Sequence, residues 1–211
     1  MPSLTSYSGS YITKVDSFLR VRETEDVLGK TLSTVFSNDG VNQISVFYPA
    51  TTEEIAVVLP FENSISSENC TVSENATVDA QYGNILGAAS ISCALKSGRK
   101  YVAEYRKLSN NGWKTYRENI DGSYFSMTLS SNEKLNYLRI YPENAEAKSY
   151  IYDVYGMMIQ HISETNLSTY YTYDSFGNLV ESYNDDGMTF KSHHRELMNN
   201  DNNAEVNNVG K

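Results

Sequence analysis

Two stretches of this chain, YIYDVYGMM at residues 150–158 and YTYDSFGNL at residues 171–179, share one pattern with an offset of 21 residues. The pattern is Tyr-x-Tyr-Asp-x-aromatic-Gly-x-apolar. Its alternating tyrosines fall on one face of a strand, because successive side chains of a strand point to opposite faces. The Asp and Gly that follow favour a tight turn, since Gly tolerates a positive φ and Asp bonds to nearby backbone. A fixed-period repeat indicates stacked units, so the sequence predicts β-hairpins from residue 147 to 197.

The repeated pattern resembles the YD repeats of the RHS family. The residues that carry the resemblance are Tyr150, Tyr152, Asp153, Gly156, Tyr171, Tyr173, Asp174 and Gly177. A third repeat would need Tyr, Tyr and Asp where the chain has Ser192, His194 and Arg195, so the third repeat is either decayed or replaced by a terminator. Large RHS proteins wind many such repeats into a hollow shell around a toxic cargo. Two repeats enclose nothing, so the resemblance implies hairpins but neither the shell nor the cargo.

The composition favours strands and argues against several classes of partner. Tyr occurs 17 times among 211 residues and Pro only 4 times, and no long run of helix-forming residues is present. The formal net charge of −9 argues against nucleic acid, which is bound by clustered Lys and Arg, and against an anionic membrane surface. No apolar run approaches the roughly 18 residues that a spanning helix needs, so no membrane insertion is expected.

Residues 39–146 are predicted to form an antiparallel β-sandwich of the jelly-roll type, because short strands alternate with turn residues at regular spacing. The predicted strands are Gln43–Tyr48, Glu54–Leu59, Thr71–Ser73, Ile85–Ala94, Tyr101–Lys107, Trp113–Ile120, Tyr124–Leu129 and Leu135–Tyr141. The order of elements is similar to the jelly-roll module that precedes YD repeats in surface proteins of Bacteroidetes-type bacteria. The stretches that carry this second resemblance are 97–101, 112–116 and 135–142.

The two ends of the chain are predicted to be less regular. Residues 1–38 are interpreted as an attachment arm that packs on a partner chain. Within them, the apolar residues fit either a short helix after Asp16 or two strands broken at Gly29. The alternative is a first strand of the next domain behind a flexible leader. No secretory signal peptide is recognised at the N-terminus, and the polar tail 198–211 is expected to be disordered.

Few residues suggest chemistry. Cys70 and Cys93 either form a disulfide within the sandwich or remain two core thiols. Trp113 and Tyr116 are candidate ligand-stacking residues for a sugar, and they fit equally well as sandwich core. His193 and His194 are interpreted as part of the decayed repeat. Adjacent residues of a strand point to opposite faces, so the two histidines cannot readily bind one metal ion. We therefore expect no catalytic residue, no cofactor and no metal ligand.

The sequence thus predicts an all-β, non-enzymatic structural or adhesive surface protein. The favoured setting is the virion surface of a phage that infects Bacteroidetes-type hosts, as a head fibre or capsid decoration protein anchored by its N-terminus. Expected partners are other proteins: copies of itself in a dimer or trimer, and a capsid or cell-surface scaffold. The alternatives are the C-terminal fragment of a bacterial cell-surface RHS-like protein and a carbohydrate-binding module that takes a glycan.

Overall fold

The computed structural model describes residues 9–37, 40–58, 69–73, 77–79 and 83–192. Within these ranges the chain is all-β with antiparallel pairing and a sandwich-like packing of sheets, as the sequence predicted. The strands are β1 Ser10–Val15, β2 Val21–Asp26, β3 Thr31–Phe36, β4 Gln43–Tyr48, β5 Ala56–Val58, β6 Cys70–Val72, β7 Thr77–Asp79, β8 Gly83–Ile85, β9 Ser90–Ala94, β10 Lys100–Ser109, β11 Gly112–Asp121, β12 Tyr124–Thr128, β13 Lys134–Pro142, β14 Glu146–Tyr152, β15 Met158–Ile162, β16 Ser168–Tyr173, β17 Leu179–Asn184 and β18 Thr189–Ser192.

The largest sheet has nine strands in the order β1-β2-β3-β4-β14-β15-β16-β17-β18. Its strands come from all three predicted segments, because β4 pairs with β3 on one side and with β14 on the other. The predicted boundaries at 38/39 and 146/147 therefore do not coincide with sheet boundaries. The N-terminal segment forms strands broken at Gly29 rather than a helix, and residues 1–8 lie outside the described part.

A four-stranded sheet, β11-β10-β13-β5, is the middle layer of the molecule. Successive residues of its two central strands face different cores, as period-two alternation requires. Tyr101, Ala103 and Tyr105 of β10 face the core shared with the three-stranded sheet β12-β9-β6. Val102 faces the core shared with the nine-stranded sheet. A sheet covered on both faces explains why every residue of β13 after Lys134 is buried.

The core between the middle layer and the nine-stranded sheet is built mostly from β3, β4, β14 and β15 on the nine-stranded side. Its buried residues are Val35, Ile44, Phe47, Ala50, Ile55, Val57, Val102, Tyr137, Tyr141, Ala145, Ala147, Ile151 and Ile162. Phe47 and Tyr141 meet here with ring centroids 5.7 Å apart. The hairpins predicted from the repeat are thus not an isolated ribbon, since their sheet shares a core with the sandwich.

Cys70 and Cys93 form a disulfide between β6 and β9. The two residues are direct partners in the ladder, with Cα atoms 4.1 Å apart. The alternative of two free core thiols, which the sequence left open, therefore does not apply. The tail 198–211 and the histidine pair 193–194 lie outside the described residues.

Candidate interaction surface

The turn at Asp153 shows how the repeated pattern fixes the chain. The Oδ1 atom of Asp153 accepts hydrogen bonds from the backbone N–H groups of Tyr155 and Met157, both at 2.9 Å. The backbone N–H of Gly156 donates to the carbonyl of Asp153, and that of Asp153 donates to the carbonyl of Met157. Gly156 has φ +80°, the left-handed conformation that closes a hairpin of this type. Asp153 is therefore a structural turn residue.

The turn at Asp174 repeats this arrangement. Its Oδ1 accepts from the backbone N–H groups of Phe176 and Asn178 at 2.9 and 2.8 Å, and Gly177 has φ +79°. Two further turns of the same hydrogen-bonding type begin at Ser163 and Asn184. The 21-residue repeat therefore consists of two hairpin steps of 10 or 11 residues, with turns at 153, 163, 174 and 184.

The same turn occurs in the N-terminal segment, where the sequence analysis did not identify it. Asp16 accepts from the backbone N–H groups of Phe18 and Arg20, and Asp26 accepts from those of Leu28 and Lys30. A related turn begins at Ser37. The signal that could have revealed them is the 10-residue step from Asp16 to Asp26.

These turns make the nine-stranded sheet a single meander, into which residues 49–145 are inserted between the neighbouring strands β4 and β14. Because adjacent strands run in opposite directions, every second turn lies at the same end of the sheet. The turns at 16–20, 153–157 and 174–178 share one end with Ser37 and residues 40–42, and we call this end the aromatic end. Neighbouring turns of one end are two strands apart, roughly 9–10 Å.

The tips of the aromatic end are apolar and exposed. Val154 is 89% exposed, Tyr155 84% and Phe176 89%, the highest values among the large apolar residues of the described chain. Phe18, Leu19 and Val41 are exposed on the other two turns. The described turns of the opposite end instead carry aliphatic and charged side chains. These are Val27, Leu28, Lys30, Glu164, Leu167, Asp185, Asp186 and Met188.

Two of the repeat tyrosines lie on the outer face of the nine-stranded sheet. Tyr150 and Tyr171 share this face, because Tyr150 pairs with His161 and His161 pairs with Thr169, two residues before Tyr171. A register shift comes directly before Tyr152 and another directly before Tyr173, and Tyr152 packs against the core shared with the middle layer. The Tyr173 hydroxyl donates to the Met158 carbonyl at 2.8 Å. Burial raises the pKa of Tyr152, Tyr171 and Tyr173. All three of these rings are half-buried.

The candidate sugar-stacking residues are not brought together. Trp113 and Tyr116 are three residues apart on β11, so they lie on opposite faces of that strand. Tyr116 stacks on Tyr105 with centroids 4.9 Å apart, on the face of the three-stranded sheet. The Arg106 guanidinium lies 5.1 Å from the Trp113 ring and 5.3 Å from that of Tyr170. A joint platform of Trp113 and Tyr116 is therefore not formed.

Charged groups are buried between the middle layer and the nine-stranded sheet. Glu104 is fully buried and bonds both Arg139 and Arg117. At the edge of the same layer, Arg106 pairs with Asp185 at 2.9 Å, and Asp185 also accepts from the Tyr170 hydroxyl. Each buried charge thus meets an opposite charge, and the groups connect the two layers.

Other candidate features are few. Burial lowers the pKa of His161, which stacks on Tyr150 with centroids 5.2 Å apart. In the part of the chain that the structure describes, no three His, Cys, Asp or Glu side chains are grouped so that they could hold a metal ion. No helix of the described residues is long and apolar enough to cross a membrane.

Comparison of the chain with models of protein families and with curated proteins found no match.

Proposed function

We propose that the protein is a non-enzymatic structural or adhesive protein of a larger surface assembly. The favoured setting is a phage virion, as a head fibre or capsid decoration protein. The observation that carries the proposal is the aromatic end, where Val154, Tyr155 and Phe176 are almost fully exposed. Apolar groups gathered on a surface mark interaction sites, and aromatic residues are enriched in protein interfaces.

The turns that carry these tips support an adhesive role. Asp153 and Asp174 each hold their turn through two backbone hydrogen bonds to one carboxylate oxygen. A preorganised turn loses little further backbone freedom when its tip is bound, so more of the contact energy remains for affinity. The carboxylates of Asp153 and Asp174 thus fix the turns, and fixed turns hold the exposed side chains at their tips in position for a partner.

The buried ion pairs support the non-enzymatic part of the proposal. Glu104 is engaged by Arg117 and Arg139, and Asp185 by Arg106 and the Tyr170 hydroxyl. Glu104, Arg117 and Arg139 belong to one sheet, so their pairs balance buried charge within the middle layer, whereas the Arg106–Asp185 pair crosses to the nine-stranded sheet. A general acid or base held in such a pair would have to leave its partner to act.

The N-terminal strands fit the attachment role. Large apolar residues are exposed along β1, notably Tyr11 and Ile12. A capsid or cell-surface scaffold would contact this strand, while the tips at Tyr155 and Phe176 face a receptor. A bacterial cell-surface RHS-like protein remains the alternative setting, and a carbohydrate-binding module the alternative activity.

Binding of fluorescently labelled protein to Bacteroidetes-type cells and to purified phage particles tests the proposal. The double variant Tyr155→Ala/Phe176→Ala should bind at least about tenfold more weakly, because truncating buried interface aromatics costs more than about 1 kcal/mol each. The matched control, Leu28→Ala/Met188→Ala, changes tips at the opposite end and should bind like the wild type.

Unchanged binding of the Tyr155→Ala/Phe176→Ala variant, or equal loss in the control, would exclude the aromatic end as the contact surface. Wild-type protein that binds neither cells nor particles would refute the proposed function. Binding to a glycan array that is lost in Trp113→Ala would favour the carbohydrate-binding module instead.

A further inference from the structure

Within the residues that the structure describes, strand β1 pairs only with β2 and forms an edge of the nine-stranded sheet. All six of its residues are exposed, on both faces, unlike the half-buried β2 beside it. Tyr11 is 66% exposed and Ile12 64%. Residues 10–12 pair with β2 in regular register, and the register shifts come only after Ile12. An edge strand with a regular stretch and apolar side chains is a template for another strand.

The one charged residue of β1 does not protect this edge. Edge strands often carry a lysine that repels a second strand. The Nζ atom of Lys14 instead donates to Thr52 Oγ1 at 2.7 Å, and that hydroxyl donates to Glu23 at 2.5 Å. The ammonium is thus drawn toward the residues between β4 and β5 and is balanced by an acidic neighbour.

The strand count fixes how another copy could continue the sheet. With nine strands in an antiparallel meander, β1 and β18 run in the same direction. If β1 of one copy lies beside β18 of another, and the other sheets of both copies cover the same face of the joined sheet, then β1 and β18 run parallel. Antiparallel continuation instead needs a two-fold axis normal to the sheet, which joins β1 to β1 or β18 to β18. Such an isologous contact closes after two copies.

Of the two edges, β1 is better suited to this contact. β18 has only four residues, and the turn before it is tied to the middle layer through Asp185 and Arg106. β1 has six residues, and its one charged side chain, Lys14, is balanced by Glu23 through Thr52. Two copies of β1 can therefore meet without an unbalanced charge on either strand.

We infer that a second copy of this chain pairs with β1 through antiparallel β1–β1 addition, giving a two-fold dimer in which the two nine-stranded sheets form one continuous sheet. This inference rests on the proposed function only where it assigns an attachment role to the N-terminal segment. The two-fold axis at β1 places the N-terminal segments of both copies side by side, so one dimer presents two attachment segments at one place.

Light scattering after size exclusion, over a concentration series, tests the inference. The wild type should have twice the chain mass of 23.7 kDa. The variant Ile12→Lys/Val15→Lys should be a monomer, because it puts two unbalanced charges on each facing strand. Both residues are exposed in one copy, so the fold should survive, and circular dichroism checks the strand content. The matched control Leu167→Lys, at a turn away from β1 and 67% exposed, should remain a dimer.

Four outcomes would overturn the inference: a wild type that stays monomeric at every concentration, a trimer, an open polymer, or a dimer that the β1 variant leaves intact. A dimer lost in Phe190→Lys and not in the β1 variant would assign the contact to β18 instead. Single cysteines placed in turn at residues 10–13 give a second readout, since at least one of them should cross-link two copies. These measurements do not involve cells, so failure of the cell-binding assay with an intact dimer would refute only the adhesive role.

Discussion

Glu104 and Arg139 lie directly opposite each other on β10 and β13, and both side chains are fully buried. Nη2 of Arg139 is 2.7 Å from Oε2 of Glu104. The same nitrogen donates to the Ser163 carbonyl at 2.7 Å, at the start of a repeat turn. Glu104 thus holds Arg139 within the middle layer, and the bond of Arg139 to Ser163 joins that layer to the nine-stranded sheet.

Removing one partner should be costly. Glu104→Ala leaves a buried guanidinium without its counter-charge, and we expect the free energy of unfolding to fall by about 3–5 kcal/mol. Urea denaturation with a fluorescence readout measures the change. Replacing both partners, as Glu104→Leu/Arg139→Leu, should cost less than the single change, because no uncompensated charge remains.

The exposed pair Lys148–Glu164 provides the control for this experiment. Its nitrogen and oxygen are 2.6 Å apart, but both side chains are more than a third exposed. Lys148→Ala should change the free energy of unfolding by no more than about 1 kcal/mol. A Glu104→Ala variant no less stable than Lys148→Ala would show that the buried Arg139 does not depend on Glu104 as its counter-charge.

The repeat turns depend on a left-handed residue at their fourth position. Gly156→Ala should destabilise the protein by about 1–2 kcal/mol, because its φ of +80° is strained for a residue with a Cβ. Gly87 is the matched control, since a Cβ there meets no atom within 4 Å and its φ lies outside the left-handed range. Gly87→Ala should leave stability unchanged or raise it slightly. Equal effects of the two substitutions in thermal unfolding would contradict this account of the turn.

The sequence predicted local elements better than their assembly. Gln43–Tyr48 was predicted with the bounds observed for β4, because a short, largely apolar stretch ends there at Pro49. The stretch Ile85–Ala94 was predicted as one strand, but β8 ends at Ile85 and β9 begins at Ser90. The pairing of β4 with β14, about a hundred residues apart, is a long-range contact that no local pattern encodes.

The candidate surface was predicted only in part. The Asp-x-x-Gly turns at Asp153 and Asp174 were found because Gly marks them. The turn at Asp16 was missed because Leu19, with φ +63°, stands where Gly is expected. The grouping of Tyr155, Phe176 and the N-terminal tips at one end follows from sheet order, which sequence periodicity does not specify.

Glu133 should make the stability depend on pH in the acid range. Hydrogen bonds from Ser130 and Lys107 lower the pKa of this carboxyl from 4.5 to about 2. A depressed folded-state pKa gives a stabilising contribution that is complete above pH 4.5 and is lost as pH falls toward 2. Glu133→Gln should therefore flatten the fall of melting temperature across this window. An unchanged slope in the variant would contradict the role of Glu133.

The Cys70–Cys93 bridge should stabilise the sandwich by restricting the unfolded chain. The two residues are 23 positions apart, and closing a loop of this length is worth about 3 kcal/mol in the chain-entropy model. Cys70→Ala/Cys93→Ala should lower the free energy of unfolding by that order, measured by urea denaturation without reductant. Wild-type protein treated with reductant should match the variant, because both have lost the same constraint. Alkylation of the unreduced, denatured wild type should add no mass, and labelling of both cysteines there would show that the bridge does not form.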